Sequence, residues 1–437
     1  MAPEQVIKPA KAIAIVVSNM IGTGVYTSLG LQVAGIHSLT ALLFIWITGG
    51  LVALCGALCY GELAARMPRS GGEYIFLSRI FHPSLGFMSG FISITIGFAA
   101  PLAIAAIAFG SYGGNLIPLP PINLAVSVII LLTLINLSSF RTGVNFNFVF
   151  TGLNLLLILL MCVAGLISGP YEGFKLSLSG EDLRQVVSPS FAISLVYVSF
   201  AYSGWNSATY ITHQIVNPVR NLPRILILGT LIVMTLYTLL NFVFLYTVPL
   251  GNLEGAIDVA YLAAVNIFGP SGGIYIAILI SIGLIASMNS LLIFGPRVSQ
   301  ALANDYPALR ILGSENKSGS PHLAILLLTG ISLILVFTST FEQIMSLLGF
   351  SLSLFTILSV IGLLVVRKLL KTNGDGIYHT PGYPWVPAFF ILVEGSMAFY
   401  IFLNKPWQSL IGIGIALTGL VIYLIFNKMT IPKEVVL

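Results

Sequence analysis

Ser18-Asn19-Met20-Ile21-Gly22-Thr23-Gly24-Val25-Tyr26 occupies the middle of the first long apolar stretch of this 437-residue chain. Two glycines flank a threonine at a depth where an unbroken helix would be expected. Glycine costs about 1 kcal/mol relative to alanine in a helix and leaves helical geometry readily. From these residues alone two readings stand: an unwound segment, or close helix–helix packing through small residues. A second stretch favours the first reading. It runs Phe200-Ala201-Tyr202-Ser203-Gly204-Trp205-Asn206, again with small residues near its centre.

Composition places both stretches in a membrane. Apolar residues make up 57% of the chain, charged residues 8%, and the mean hydropathy is +1.00. A soluble globular chain carries roughly 25% charged residues. A water-soluble enzyme, a disordered chain and a coiled coil are excluded, and three cysteines cannot staple a secreted domain. The apolar runs are continuous, not alternating, which excludes an outer-membrane barrel. What remains is an all-α polytopic membrane protein.

A hydrocarbon core about 30 Å thick needs roughly 20 apolar residues per helix. Twelve such stretches are predicted, at 12–36, 39–61, 84–109, 122–139, 145–168, 189–213, 225–249, 272–296, 322–340, 343–366, 386–403 and 407–427. An even number puts both termini on one side, and the basic residues choose that side. With a cytoplasmic N-terminus the inside loops hold Lys8, Lys11, Arg66, Arg69, Arg79, Arg141, Arg220, Arg224, Arg297, Arg310, Lys317, Arg367, Lys368, Lys371, Lys428 and Lys433. The outside loops hold only Lys175, Arg184 and Lys405. This positive-inside bias predicts a multi-pass protein of the plasma (inner) membrane with both termini cytoplasmic. The first stretch is too long for a signal peptide and lacks a small-residue cleavage pattern. The net +5 charge is a topology signal and implies no nucleic-acid partner.

Stretches one and six open two successive sets of five. Interrupted helices at corresponding positions of two halves are the sequence mark of a secondary-transporter binding site. An unwound segment frees N–H groups at the start of one half-helix and carbonyls at the end of the other. The first receive a carboxylate and the second an ammonium. A site with both kinds of group and no charged side chain suits a zwitterion, and free amino acids are the commonest small zwitterions. The central ionisable residue of the spans is Glu394. It reads either as functional or as packing, with a protonated or amide-bonded carboxyl.

At these residues the chain resembles the amino acid–polyamine–organocation superfamily and, within it, the L-type amino-acid transporters. The resemblance covers nearly the whole chain. Ile21-Gly22-Thr23-Gly24-Val25-Tyr26 is similar to the family's break in helix one, and Phe200 to Asn206 to its helix-six signature. Gly61-Glu62-Leu63 and Arg69-Ser70-Gly71-Gly72-Glu73-Tyr74 resemble the end of helix two and the approach to helix three. Asn217-Pro218-Val219-Arg220-Asn221-Leu222-Pro223-Arg224 resembles the cytoplasmic six–seven loop, and Ser287-Met288-Asn289 with Pro296-Arg297 resembles helix eight. The resemblance implies a leucine-transporter-like fold of twelve transmembrane helices. Two inverted five-helix repeats (12–168 and 189–366), with helices one and six unwound, are followed by two further helices (386–427). All form a single transporter domain.

The same resemblance implies the roles. The substrate carboxylate would sit on the N–H groups of Thr23 and Gly24, beside Gly22, helped by the Thr23 hydroxyl. The ammonium would face carbonyls near Met20, Ile21, Phe200 and Ser203. Phe200 would be the outer lid, with Ala201 and Ser203, beside Gly204, lining the side-chain pocket. Asn206 would give a polar contact beneath, and Tyr237 would close the site on the cytoplasmic side. A bulky side chain at Gly24 is expected to fill the space where the carboxylate approaches. No cofactor and no metal is called for.

Three departures matter. The family's helix-five lysine is Asn154 here, an amide that can bridge backbone groups of helices one and eight, with Ser287, but cannot titrate. Sodium-independent exchange of small or medium neutral amino acids is therefore expected, with sodium or proton symport as the alternative. Where many relatives carry two glutamates after helix six, His213 and Gln214 stand. The loop from Ser111 to Pro121 has no cysteine, so a disulfide-linked heavy chain is not expected. The remaining partners are free amino acid and lipid. A membrane-embedded enzyme would need a nucleophile, base or metal cluster in the spans, and the five histidines fall at span ends or in loops. A non-transporting amino-acid sensor would need the same pocket, and only flux separates it from a transporter.

Overall fold

In the computed structural model, which describes residues 7–138, 141–177, 179–316, 320–369 and 377–426, each of the twelve apolar stretches contains helix within its described residues. The first becomes three pieces, α1 (Pro9–Met20), α2 (Gly24–Thr27) and α3 (Leu29–Val33). Then come α4 (Leu39–Arg66), α5 (Glu73–Ile80) and α6 (Pro83–Ile92). A π-helical segment, Ser93–Gly97, leads into α7 (Ala99–Gly114), followed by α8 (Pro121–Ser138) and α9 (Arg141–Ser168). The second set opens with a short α10 (Gly180–Val186), α11 (Pro189–Tyr202) and a 3₁₀ segment, Ser207–Gln214. It continues through α12 (Pro218–Thr247), α13 (Leu250–Leu253), α14 (Val259–Asp305), a second 3₁₀ segment (Pro307–Gly313), α15 (His322–Thr338) and α16 (Phe341–Leu369). Two last helices, α17 (Trp385–Asn404) and α18 (Pro406–Phe426), complete the fold. Lys317, Lys371, Lys428 and Lys433 lie outside the described residues.

The helix starts follow local chemistry. Proline stands in the first turn of α1, α6, α11 and α12, where its missing N–H removes nothing. The Ser38 hydroxyl accepts from the Ala41 N–H at the start of α4, and the Ser188 hydroxyl accepts from Phe191 N–H at the start of α11.

Among the described residues, eight helices are long and apolar enough by length and composition to cross a membrane. A bent pair, Gly180–Val186 with Pro189–Thr212, gives a ninth, and shorter apolar helices stand at Pro121–Leu137, Gly152–Ser168 and His322–Thr338. The outer face of α9 exposes Leu156, Leu159, Leu160, Val163, Leu166 and Ile167, the last at 80%. Such a surface belongs against lipid.

Three boundaries differ from expectation. α4 runs to Arg66, past the predicted 61, because Glu62 finds partners that let it be buried. The third stretch is preceded by α5 and interrupted by the π segment. α14 overshoots 272–296 at both ends and contains a non-helical residue, Gly269, with φ +77 just before Pro270.

Packing comes in matched couples. α1 lies on α12 and α11 lies on α4, while α4 and α12 lie on each other; α9 packs on α14, and α16 packs on α5 and α7. The breaks in the first and sixth stretches therefore face one another inside the helix layer made with α4 and α12.

Candidate substrate site between the two helix breaks

Each break has a local cause. At the end of α1, Ile21 turns extended (φ −76, ψ 92) while its N–H still reaches the Val17 carbonyl. Helical geometry resumes at Thr23 (φ −60, ψ −39), and α2 starts at Gly24. In the sixth stretch Ser203 is extended (φ −55, ψ 153) and Gly204 has φ +95, a conformation that favours glycine. Asn206 then leads into the 3₁₀ segment.

The two breaks clasp each other through their glycines. A Cβ on Gly24 would lie 2.5 Å from Ala201 Cα and 2.7 Å from Ala201 Cβ. A Cβ on Gly204 would lie 2.7 Å from the Asn19 carbonyl oxygen and 2.9 Å from its carbon. Each break thus supplies the glycine that admits the other's backbone. The side-chain direction of Gly24 points at Ala201 of α11. Gly22 differs: a Cβ there meets only the Ser287 hydroxyl, at 3.7 Å.

Tyr237 of α12 donates its hydroxyl to the Met20 carbonyl at 2.5 Å, capping the end of α1. Its ring packs with Trp46 and Tyr202 at centroid distances of 6.0 and 5.2 Å. Trp46 in turn donates to Gln32, and Gln32 to the Ser28 hydroxyl. Of the carbonyls expected to face an ammonium, Met20 accepts from Tyr237 and Phe200 accepts from the Ser203 N–H at 3.0 Å. Each keeps a second lone pair. At the start of α2, Gly24 and its neighbours belong to a first turn whose N–H groups lack intrahelical acceptors. Tyr26 N–H is satisfied by the Thr23 carbonyl. Phe200 and Ala201 lie buried in the last turn of α11.

Beside the first break, α1, α9 and α14 enclose a cavity of about 50 Å³ lined by Ser18, Asn19, Ile21, Asn154, Ser287 and Ser290, among others. A water needs about 10–15 Å³ of such space, so there is room here for a few waters among the polar side chains. Gly283 makes room for the buried Asn154 amide, which a Cβ at that position would strike.

The structure therefore brings Ile21, Asn154 and Ser287 together, Gly24 with Ala201, Gly204 with Asn19, and Met20 with Tyr237. Asn206 turns elsewhere. Its Nδ2 donates to Glu73 Oε1 at 3.1 Å, and Tyr60 donates to the same oxygen at 2.9 Å. Glu73 is only 5% exposed. Burial pushes its carboxyl up to about 7, against the opposing pull of the Tyr60 and Asn206 hydrogen bonds. Sequence reasoning gave Glu73 no role; a glutamate directly after Gly71-Gly72 reads as an exposed turn residue. Glu62 was missed for the same reason. It is fully buried, held by Arg66 at 2.9 Å, Arg367 at 2.5 Å and the Thr380 N–H at 2.8 Å. Glu394 is bonded by the hydroxyls of Ser353 (2.5 Å) and Ser199 (3.3 Å), joining α17 to α16 and α11. Hydroxyls satisfy it, not amides. The His213 side chain lies outside the described residues.

Comparison with known proteins gives the family of the chain. The chain is 27% identical over 432 residues to the human large neutral amino acids transporter small subunit 2, covering 94% of this chain and 78% of that one. It is 26% identical over 428 residues to the mouse b(0,+)-type amino acid transporter 1, covering 95% and 86%. It is 26% identical over 437 residues to the mouse Asc-type amino acid transporter 1, covering 94% and 79%. A family model described as amino acid permease matches residues 7–426, from before α1 to the end of α18. Both breaks and every helix fall within that match, and the chain belongs to the amino acid permease family of the amino acid–polyamine–organocation superfamily: it is a transporter and not an enzyme.

Proposed function

We propose that the chain moves small or medium neutral L-amino acids across the plasma (inner) membrane by alternating access, as sodium-independent exchange. The observation that carries this reading is the reciprocal clasp of the two breaks, Gly24 on Ala201 and Gly204 on Asn19. Two unwound segments in backbone contact offer N–H groups and carbonyls to one small zwitterion. In this reading the carboxylate meets Thr23 and Gly24, and the ammonium meets carbonyls of Met20, Ile21, Phe200 and Ser203. Phe200 covers the substrate, Ala201 and Ser203 line its side chain, and Tyr237 fixes the end of α1 on the inner side. Asn206 acts through Glu73, beneath the pocket. The names of the relatives, which specify neutral amino acids in one case, support the substrate class.

The layout belongs to the same proposal: twelve crossings, repeats at 12–168 and 189–366, and two further helices at 386–427 with cytoplasmic termini. Its support is the matched packing, α1 on α12 with α11 on α4, as an internal two-fold would pair them. The absence of a cysteine between Ser111 and Pro121 supports a chain without a disulfide-linked partner.

Ion independence rests on Asn154, whose amide supplies dipoles but no titratable charge. A second reading, sodium coupling, draws on the oxygens of Ser287, Ser290 and Asn154 around the 50 Å³ cavity. The test is counterflow in proteoliposomes with a panel of labelled amino acids, with and without sodium and a proton gradient. Counterflow of neutral amino acids in the absence of both supports exchange. An absolute sodium requirement overturns ion independence, and binding without any counterflow identifies a sensor.

A further inference from the structure

Break six is followed by a segment held at three points by two separate parts of the chain, Ile7 and the Gly71–Glu73 turn. The 3₁₀ residues 207–214 follow Asn206, and the segment's far end pairs with Ile7 in an isolated β-bridge, through Ile7 N–H to the Gln214 carbonyl (2.9 Å) and Val216 N–H to the Ile7 carbonyl (3.1 Å). Its middle abuts the turn before α5: Gly71 N–H reaches the Thr209 carbonyl at 3.4 Å, and a Cβ on Gly72 (φ +55) would meet the Thr209 hydroxyl and the Tyr210 ring at 2.9 Å. Its beginning is held by the Asn206 amide on Glu73. Of these three attachments only the last involves a carboxyl group.

We propose that Glu73 is a positioning residue that makes the break in helix six responsive to protons. With a neutral carboxyl it seals the 3₁₀ segment in the arrangement seen here. With a charged carboxylate it draws water in beside Asn206 and releases that segment. This rests on reading break six as part of the transport path.

The physical basis is the cost of a buried charge. Glu73 is 5% exposed and forms no ion pair among the described residues; its partners are the Tyr60 hydroxyl and the Asn206 amide, both on one oxygen. Two neutral donors do not replace the hydration of a carboxylate. The groups that bear on it are Tyr60 from α4, Asn206 and Tyr210 from the break, and Glu394 from α17; none of the causes of its shift lies on α6 or α16. Glu394 adds a like charge and acts in the same sense as burial. A conformation that buries Glu73 binds its proton more tightly than one that hydrates it, so acid favours the sealed arrangement and base favours release. The carboxyl at about 7 puts the changeover near neutrality.

The test needs no substrate, so its failure is separate from a failure of transport. Hydrogen–deuterium exchange of the purified, substrate-free protein in lipid nanodiscs is followed from pH 5.5 to 8.5. Protection factors for 203–214 are referred to those of α4, which removes the chemical pH dependence of exchange. Protection of 203–214 is expected to fall several-fold with rising pH, with a midpoint near 7. Glu73→Gln should hold protection at the acid level throughout, and Glu73→Asp should restore the pH dependence. Glu394→Gln, which removes the like charge, should move the midpoint to lower pH. A flat wild-type profile overturns the proposal, as does an unchanged profile in Glu73→Gln. A midpoint unmoved by Glu394→Gln overturns the part assigned to that residue. The wild-type titration stands as a test even if a variant fails to fold.

Discussion

Gly22 and Gly24 look alike in sequence and do different work. A side chain on Gly24 would strike the Ala201 backbone at 2.5 Å, whereas one on Gly22 would meet the Ser287 hydroxyl at an ordinary 3.7 Å. Gly24→Ala is therefore expected to separate α2 from α11, lowering the melting temperature and abolishing counterflow. Gly22→Ala should retain wild-type stability. Equal melting temperatures for the two variants in detergent would refute this division. Glu73 yields a second residue-scale prediction. Its native carboxyl titrates at about 7, above the ordinary 4.5, so the native state holds more protons than the unfolded chain between those values. Its contribution to stability is full below about 4.5 and is lost as pH rises through 7. Melting temperature measured from pH 5 to 8 should fall less steeply in Glu73→Gln than in wild type. A parallel pair of curves would show that Glu73 is not the group responsible. Neither glycine's contact nor the full set of Glu73 partners is legible in the sequence, because Ala201, Ser287 and Asn206 all lie far along the chain from the residues they meet.

The elements were read more successfully than the contacts within them. Gly22-Thr23-Gly24 and Ser203-Gly204 announce their breaks because glycine is where a helix leaves its path at least cost, and both breaks stand where the glycines are. The basis for locating the third and eighth stretches was apolar length, and length says nothing of a π segment at Ser93–Gly97 or a non-helical Gly269. Apolar length ends the second stretch at 61, and only the arginines show why Glu62 belongs inside α4. The meeting of α9 and α14 at Asn154 carries a prediction of its own. Gly283 leaves the space that the Asn154 amide occupies. Gly283→Ala should displace that amide and alter exchange more than Asn154→Ala, which removes a hydrogen-bonding group worth roughly 0.6 kcal/mol in a membrane. Initial counterflow rates of the two variants decide this, and a larger loss in Asn154→Ala would point to the amide as an ion ligand.

At the scale of the molecule, α4, α16 and the 377–384 segment converge on Glu62. Arg66 and Arg367 flank its carboxylate, the Thr380 N–H donates to it, and the Tyr383 ring lies 4.0 Å from the Arg367 guanidinium. Removing one member of a buried ion pair leaves its partners uncompensated and costs roughly 3–5 kcal/mol. Glu62→Gln is expected to lower the melting temperature markedly, because two arginines would then share a neutral amide at the junction of the first set, the second set and the final helices. Replacement of exposed Arg184, 83% exposed at its side chain beside Glu181, should change stability by less than 1 kcal/mol. Comparable losses in the two variants, followed by thermal unfolding in detergent, would remove Glu62 from this central place.

The clasp between the breaks also bears on what a family alignment or a mutational scan could reveal. At Gly24 the obstacle is the Cα of Ala201, and at Gly204 it is the carbonyl of Asn19. Every amino acid carries those atoms. No exchange of residue at 201 or 19 can relieve a side chain placed opposite, so these contacts admit no compensating partner. They should leave no covariation signal and yield no second-site suppressor at the facing position, although they join the two halves of the chain. Statistical searches for coupled residues would pass over this junction, and a physical reading of the backbone finds it.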